Sequence, residues 1–245
     1  NTFMQVLAPN SAPSTKYVIA YQGFLFLMNS AERPRGMYYS ADNVATTDPW
    51  DSSFDLPSSF DDEITGAIIL NRKMYVFMRY KTLRVSFVGG NPDFSYQDVK
   101  DWGMVQGTVR KITLPEVGEV IVGLDWNRNL RIFDGSEDQI ISDGFKEDNG
   151  MSSVFMERIN INALNTARAE NDTNELVYKL LVPIGTATRP SHCINFNYRI
   201  GALYPYDSYG YMQFVMAQSS NDQRLLAVTS DGRVHVMDSG NRDNG

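Results

Sequence analysis

A single cysteine, Cys193, and two histidines, His192 and His235, are all the thiol and imidazole this sequence contains. An internal disulfide is therefore impossible, and the usual zinc ligand sets cannot be assembled. Basic charge is also short, with 22 Lys plus Arg against 29 Asp plus Glu and a formal charge of -7. That is the wrong sign for gripping a phosphate backbone by counterion release, which disfavours tight nucleic-acid binding. Long apolar runs are missing too: stretches such as Gly66 to Leu70 fall far short of the roughly 20 residues a membrane helix needs. No charged-then-apolar signal segment opens the chain, and no Gly-rich phosphate loop, nucleophile elbow or dinucleotide fingerprint occurs in it.

What the sequence does have is strand chemistry. With 42% hydrophobic and 12% aromatic residues over 245 positions, it can bury a real core without disulfide staples. Short segments rich in Val, Ile, Tyr and Phe recur between Asn, Asp and Gly, and they pair into five hairpin candidates. Tyr17–Gln22 meets Phe24–Met28 across Gly23, and Glu63–Leu70 meets Lys73–Met78 across Asn71-Arg72, a two-residue break of hairpin length. Glu119–Asp125 meets Asn129–Phe133, Glu175–Ile184 meets Ser191–Tyr198, and Leu225–Thr229 meets Arg233–Met237. Their centres are separated by about 48, 57, 59 and 44 residues, near the ~40–50 residue period of propeller blades.

A small antiparallel sheet cannot bury both faces alone, whereas stacked sheets bury one another and shield their edges. The expectation is an all-β, propeller-like repeat of antiparallel hairpins with a period of about 50 residues, forming a single domain over 1–245. An irregular β-sandwich is the alternative architecture. The turn-like run Asp238–Gly245 and the start at Asn1 read as a fragment of a longer chain. One segment departs from the strand pattern: Met151, Phe155, Ile159 and Ala163 recur at i, i+4. That spacing predicts a helix over Met151–Ala169, capped by Ser152 or Ser153, with Phe155 and Ile159 facing the core. Tyr39 to Asp62, carrying Pro49, Trp50, Pro57 and several aspartates, is expected to be a long surface loop.

Candidate chemistry is thin. His192 and Cys193 are neighbours in a predicted strand, so their side chains point to opposite faces and do not make a nucleophile–base pair. Asp125, Asn127 and Asn129 imitate the opening of a calcium loop, but Leu130 and Ser136 stand where the loop needs glycine and a bidentate glutamate. Asx hydrogen bonds in a turn explain that run better. Asp61, Asp62, Asp93, Asp98 and Asp101 are loop carboxylates that a propeller could gather into a glycosidase pair, or leave solvated. Tyr204, Tyr206, Tyr209 and Tyr211 could stack sugars, pack a subunit contact or cover the local core. No catalytic, metal-binding or cofactor-binding residue is assigned, and no cofactor is expected.

Two regions carry a family resemblance. The first is Arg33-Pro34-Arg35-Gly36-Met37-Tyr38-Tyr39-Ser40, followed by Trp50 and by Ile64-Thr65-Gly66 through Arg72-Lys73-Met74-Tyr75-Val76-Phe77. The second is Val122-Gly123-Leu124-Asp125 with Leu130–Gly135 and Ile140–Ser142, together with Thr229–Gly240 near the end. These resemble the propeller strands of tailed-bacteriophage tail hub, nozzle or tail tubular proteins, over roughly Tyr17 to Gly245. The resemblance implies a non-enzymatic virion protein of the phage tail, assembled in the host cytoplasm. It further implies a homo-oligomeric ring, six-fold, that meets other tail or portal and adaptor proteins and continues the ejection channel. DNA would pass through without specific binding, and no membrane insertion is implied. The chain departs from the family in size, and a separate platform region is not evident in it. A carbohydrate-binding or glycoside-hydrolase propeller is the alternative function.

Overall fold

The computed structural model describes residues 13–40, 50, 52–57, 62–89, 93–143, 152–207, 210–218 and 222–237. The chain packs as two compact units, 1–104 and 105–245. In the first unit, β1 (Thr15–Tyr21), β2 (Phe24–Ser30), β3 (Gly36–Tyr39) and β4 (Ser52–Asp55) form one antiparallel sheet in chain order. A second sheet follows with β5 (Ile64–Leu70), β6 (Lys73–Met78), β7 (Thr82–Phe87) and β8 (Phe94–Lys100).

The second unit repeats the plan with β9 (Arg110–Leu114), β10 (Gly118–Leu124), β11 (Leu130–Phe133) and β12 (Asp138–Ile140). Its next sheet comprises β13 (Arg168–Asp172), β14 (Val177–Val182), β15 (His192–Asn197) and β16 (Ala202–Asp207). A sheet of β17 (Tyr211–Gln218), β18 (Gln223–Thr229) and β19 (Val234–Val236) completes the described residues. Within each unit the first strand of one sheet lies against the first strand of the next: β1 against β5, β9 against β13, and β13 against β17. The fold is all-β, a propeller-like repeat of up-and-down antiparallel sheets, as the hairpin pattern predicts.

Local chemistry explains the turns. Asn71 and Arg72 both adopt positive φ, 49° and 61°, the combination a two-residue type I′ hairpin requires because its twist matches that of the strands. Gln22 and Gly23 do the same between β1 and β2. All five expected hairpins form, but not at the same place in their sheets. The first two join strands one and two, whereas the last three join strands two and three. The blades themselves begin at residues 15, 64, 110, 168 and 211. The longest interval, from β9 to β13, contains the helical insertion.

That insertion is shorter than the i, i+4 pattern predicts. It consists of α1 (Ser152–Glu157) and a 3-10 turn, Ile161–Thr166, and β13 takes over at Arg168. Two competing interactions end the helix. Ile159 bridges Ile184, and the Asn160 N–H donates to the Pro183 carbonyl. The Asn160 Oδ1 then accepts from the Asn162 N–H and caps the 3-10 turn. Ile159 and Ala163 are buried, while Phe155 is half-buried against the same core. Met151 and the side chains of Ser152 and Ser153 lie outside the described residues. The expected Tyr39–Asp62 loop also contains structure: β4 pairs with β3, with Met37 opposite Phe54. Arg33 secures that pairing by ion-pairing Asp55 at 3.1 Å and donating to the Ser53 hydroxyl.

Burial follows strand position. In β14, Tyr178, Leu180 and Val182 join the core shared with β10 and the helical insertion. Leu181 packs the other way, onto Phe214, Leu225 and Ala227. A strand covered on both faces reads as a near-continuous apolar run, as Val177–Val182 does apart from Lys179. The Tyr178 hydroxyl, fully buried, donates to the Thr108 carbonyl at 2.7 Å, and burial pushes its pKa well above the usual phenol range.

In the first unit, a polar tie joins the two sheets. Asn29 sits in β2 with φ of 61°, a left-handed conformation that Asn tolerates better than most residues. Its Nδ2 donates to the Ile64 carbonyl at 2.6 Å and to the Glu63 carboxylate at 3.0 Å, and Lys16 ion-pairs with the same carboxylate at 2.8 Å. Burial pushes the Glu63 pKa up, but the Lys16 and Asn29 hydrogen bonds outweigh it and hold it below the usual 4.5. The folded pKa lies under the unfolded one, so this contribution to stability is complete above about pH 4.5 and fades as pH falls through the folded value. The pair is partly solvated, which keeps the effect small. Urea unfolding of wild type and Glu63→Gln should therefore give a stability gap at neutral pH that closes in acid. A gap that widened below pH 4.5 would contradict the tie.

Candidate functional site

The calcium-like run is a closed structural knot. Asp125 ends the β10 side of the hairpin and is 1% exposed. Its Oδ1 accepts from the backbone N–H groups of Asn127 and Asn129, both at 2.8 Å. Its Oδ2 accepts from Asn129 Nδ2 at 2.8 Å and from Arg131 Nε at 2.6 Å. Arg131 also reaches Asp138 at 2.6 Å, which links the hairpin turn to β12. Four donors occupy the four acceptor sites of the carboxylate. The Asx reading of this segment holds.

The same device recurs at other connections. Asp134 accepts from the N–H groups of Ser136 and Glu137, and Asp172 accepts from those of Asn174 and Glu175. Asp231 caps its turn through Thr229 and Arg233. Asp125, Asp134, Asp172 and Asp231 thus each staple a turn.

Of the aspartates expected in loops, Asp98 lies instead within β8, and Asp62, Asp98 and Asp101 all act on the Lys81 ammonium. Asp62 is buried and accepts from the N–H groups of Glu63 at 2.9 Å and Arg79 at 2.8 Å. Asp98 pairs with Lys81 at 2.7 Å and, with help from Asp101 and Asp62, holds that ammonium above its usual range. Asp93 and Asp101 flank opposite ends of β8, roughly 25 Å apart at ~3.3 Å per residue. Glycoside cleavage needs carboxylates about 5–9.5 Å apart, so these two do not form a pair. Asp61 lies outside the described residues.

His192 and Cys193 diverge as strand geometry requires. His192 shares a 3.1 Å hydrogen bond with the Ser191 hydroxyl and meets the Phe155 ring edge-on. Cys193 is fully buried on the opposite face, its thiol donating to Asn195 Oδ1 at 3.5 Å. Burial pushes the thiol pKa up to about 12. A thiol this protonated and enclosed is a poor nucleophile. Cys193 should ignore a thiol-titrating disulfide reagent in native buffer at pH 8 and react completely in denaturant; rapid native labelling would reverse this reading.

The two candidate tyrosines with described side chains differ in setting. Tyr204 is exposed on β16, whereas Tyr211 packs on Phe214 and His235. Tyr209 and the side chain of Tyr206 lie outside the described residues. Exposed aromatic surface also occurs in the first unit, where Phe87 and Tyr96 are each 46% exposed. The Phe54 ring lies nearly parallel to Tyr96 with centroids 6.4 Å apart. Sequence reasoning missed this rim because Phe54 lies in the segment read as a loop.

A cleft of about 400 Å³ lies between the β13–β14 turn and the start of β18, lined by Asp172, Glu175, Asp222, Arg224, Leu225 and Met237 among others. Lys179, 7% exposed, lies 3.0 Å from Glu175 and 3.4 Å from Asp172. Asn174 Nδ2 donates to the Gln223 carbonyl, and the Thr173 hydroxyl donates to Gln223 Oε1, both at 2.9 Å. These contacts tie one sheet to the next. Lys179 was hidden in the sequence as the one charge in an apolar strand.

No family model matches the chain, and no curated protein matches it. Among solved structures it is similar to the Nup133 β-propeller domain of Vanderwaltozyma polyspora, at 12% identity, 90% coverage of this chain, 68% of that chain and a TM-score of 0.46. It is also similar to BBS1N, solved in complex with ARL6DN, at 11% identity, 95% and 80% coverage and a TM-score of 0.46. At these scores the likeness carries neither an activity nor a partner to this chain, whose all-β, propeller-like architecture stands on its own sheets.

Proposed function

We propose that this chain is a non-enzymatic structural subunit, a ring-forming tail hub or nozzle component of a tailed-phage virion that continues the DNA channel below the portal. The observation that carries the non-enzymatic part is where its polar chemistry is spent. Asp62, Asp125, Asp134 and Asp172 accept backbone N–H groups. Arg110 pairs with Glu170 across β9 and β13, and Cys193 is buried. The tail assignment draws on the sequence resemblance around Arg33–Phe77 and Val122–Ser142. The net acidic charge suits a conduit, because negative walls offer phosphates no counterion-release gain. A closed ring of identical copies requires heterologous contacts.

Mass determination and negative-stain imaging of the protein test this directly. A closed ring, docking on a portal-type ring, is expected. A persistent monomer that docks on nothing would overturn it. A carbohydrate-binding module is the second reading, favoured by the exposed Phe87 and Tyr96 rings, whose apolar faces are of the kind that stack on sugars. Saturable glycan binding lost in Tyr96→Ala would move the assignment there.

A further inference from the structure

We draw no further inference here: the strongest candidate, the acidic cleft between the β13–β14 turn and the start of β18, rests on a cluster of carboxylates whose buried member, Asp172, is already engaged by Asn174, Glu175 and Lys179, and nothing else in the structure points to a ligand for it.

Discussion

Gly103→Ala should destabilise the first unit by about 3 kcal/mol or more, the upper end of what overpacking a well-filled core costs. A methyl group built on Gly103 would stand 1.5 Å from the Met78 carbonyl oxygen and 2.5 Å from its carbon. Both atoms belong to backbone, so no rotamer change relieves the clash. The segment is also pinned on either side. The Thr82 hydroxyl donates to the Trp102 carbonyl at 2.7 Å, and the Thr65 hydroxyl donates to the Met104 carbonyl at 2.6 Å. Retreat of Gly103 would break one of these hydrogen bonds and unseat Met104, which is fully buried. Thermal unfolding should show a Tm fall of roughly 10 °C, at ~2–8 °C per kcal/mol for units of this size. Gly66→Ala is the control, because its added methyl meets nothing within 4 Å, and its Tm should stay near wild type. Equal losses in the two variants would mean that glycine replacement itself, not the Met78 contact, sets the cost.

Nothing in the sequence around Trp102-Gly103-Met104 announces that contact, since its partner is a carbonyl 25 positions earlier. This marks the boundary of what was legible. Hairpins are local, and Asn71-Arg72 or Ser230-Asp231-Gly232 encode their turns in adjacent residues, so all five appear where expected. Their position within each sheet is not local. The similar segments Arg72–Phe77 and Arg128–Phe133 become a second strand and a third strand respectively, because the third sheet gains an extra leading strand, β9, ahead of its predicted hairpin. β4 escaped notice because Ser52–Asp55 has little strand propensity and is fixed by pairing with β3 and by Arg33. The helix was overextended for the converse reason. Its spacing continues past Glu157, but Ile159 and Asn160 are captured by Ile184 and Pro183 of a distant connection. At the candidate sites, the residue types were visible and their neighbours were not. Strand alternation sufficed to separate His192 from Cys193, whereas no pattern foretold that Asp62 would be buried against the Arg79 N–H or that Phe54 would lie beside Tyr96.

Asp125→Ala should cost about 3–5 kcal/mol, the range for removing one partner of a buried ion pair. The substitution strands more than a charge. It leaves the turn N–H groups of Asn127 and Asn129 without their acceptor and deprives the Asn129 amide of its own. Arg131, whose side chain is 12% exposed, would keep Asp138 but lose its inner carboxylate. Asp125→Asn separates these effects, because an amide oxygen can still accept the two turn N–H groups while its NH₂ faces the guanidinium. Stability by urea denaturation should therefore run wild type, then Asn, then Ala. The same experiment decides between a knot and a metal loop. If Arg131 and the turn already satisfy Asp125, millimolar calcium should leave the wild-type Tm unmoved, whereas a true site would raise it by mass action. A calcium-dependent rise in Tm that Asp125→Asn abolished would make this hairpin a binding site and displace the structural account of its acids.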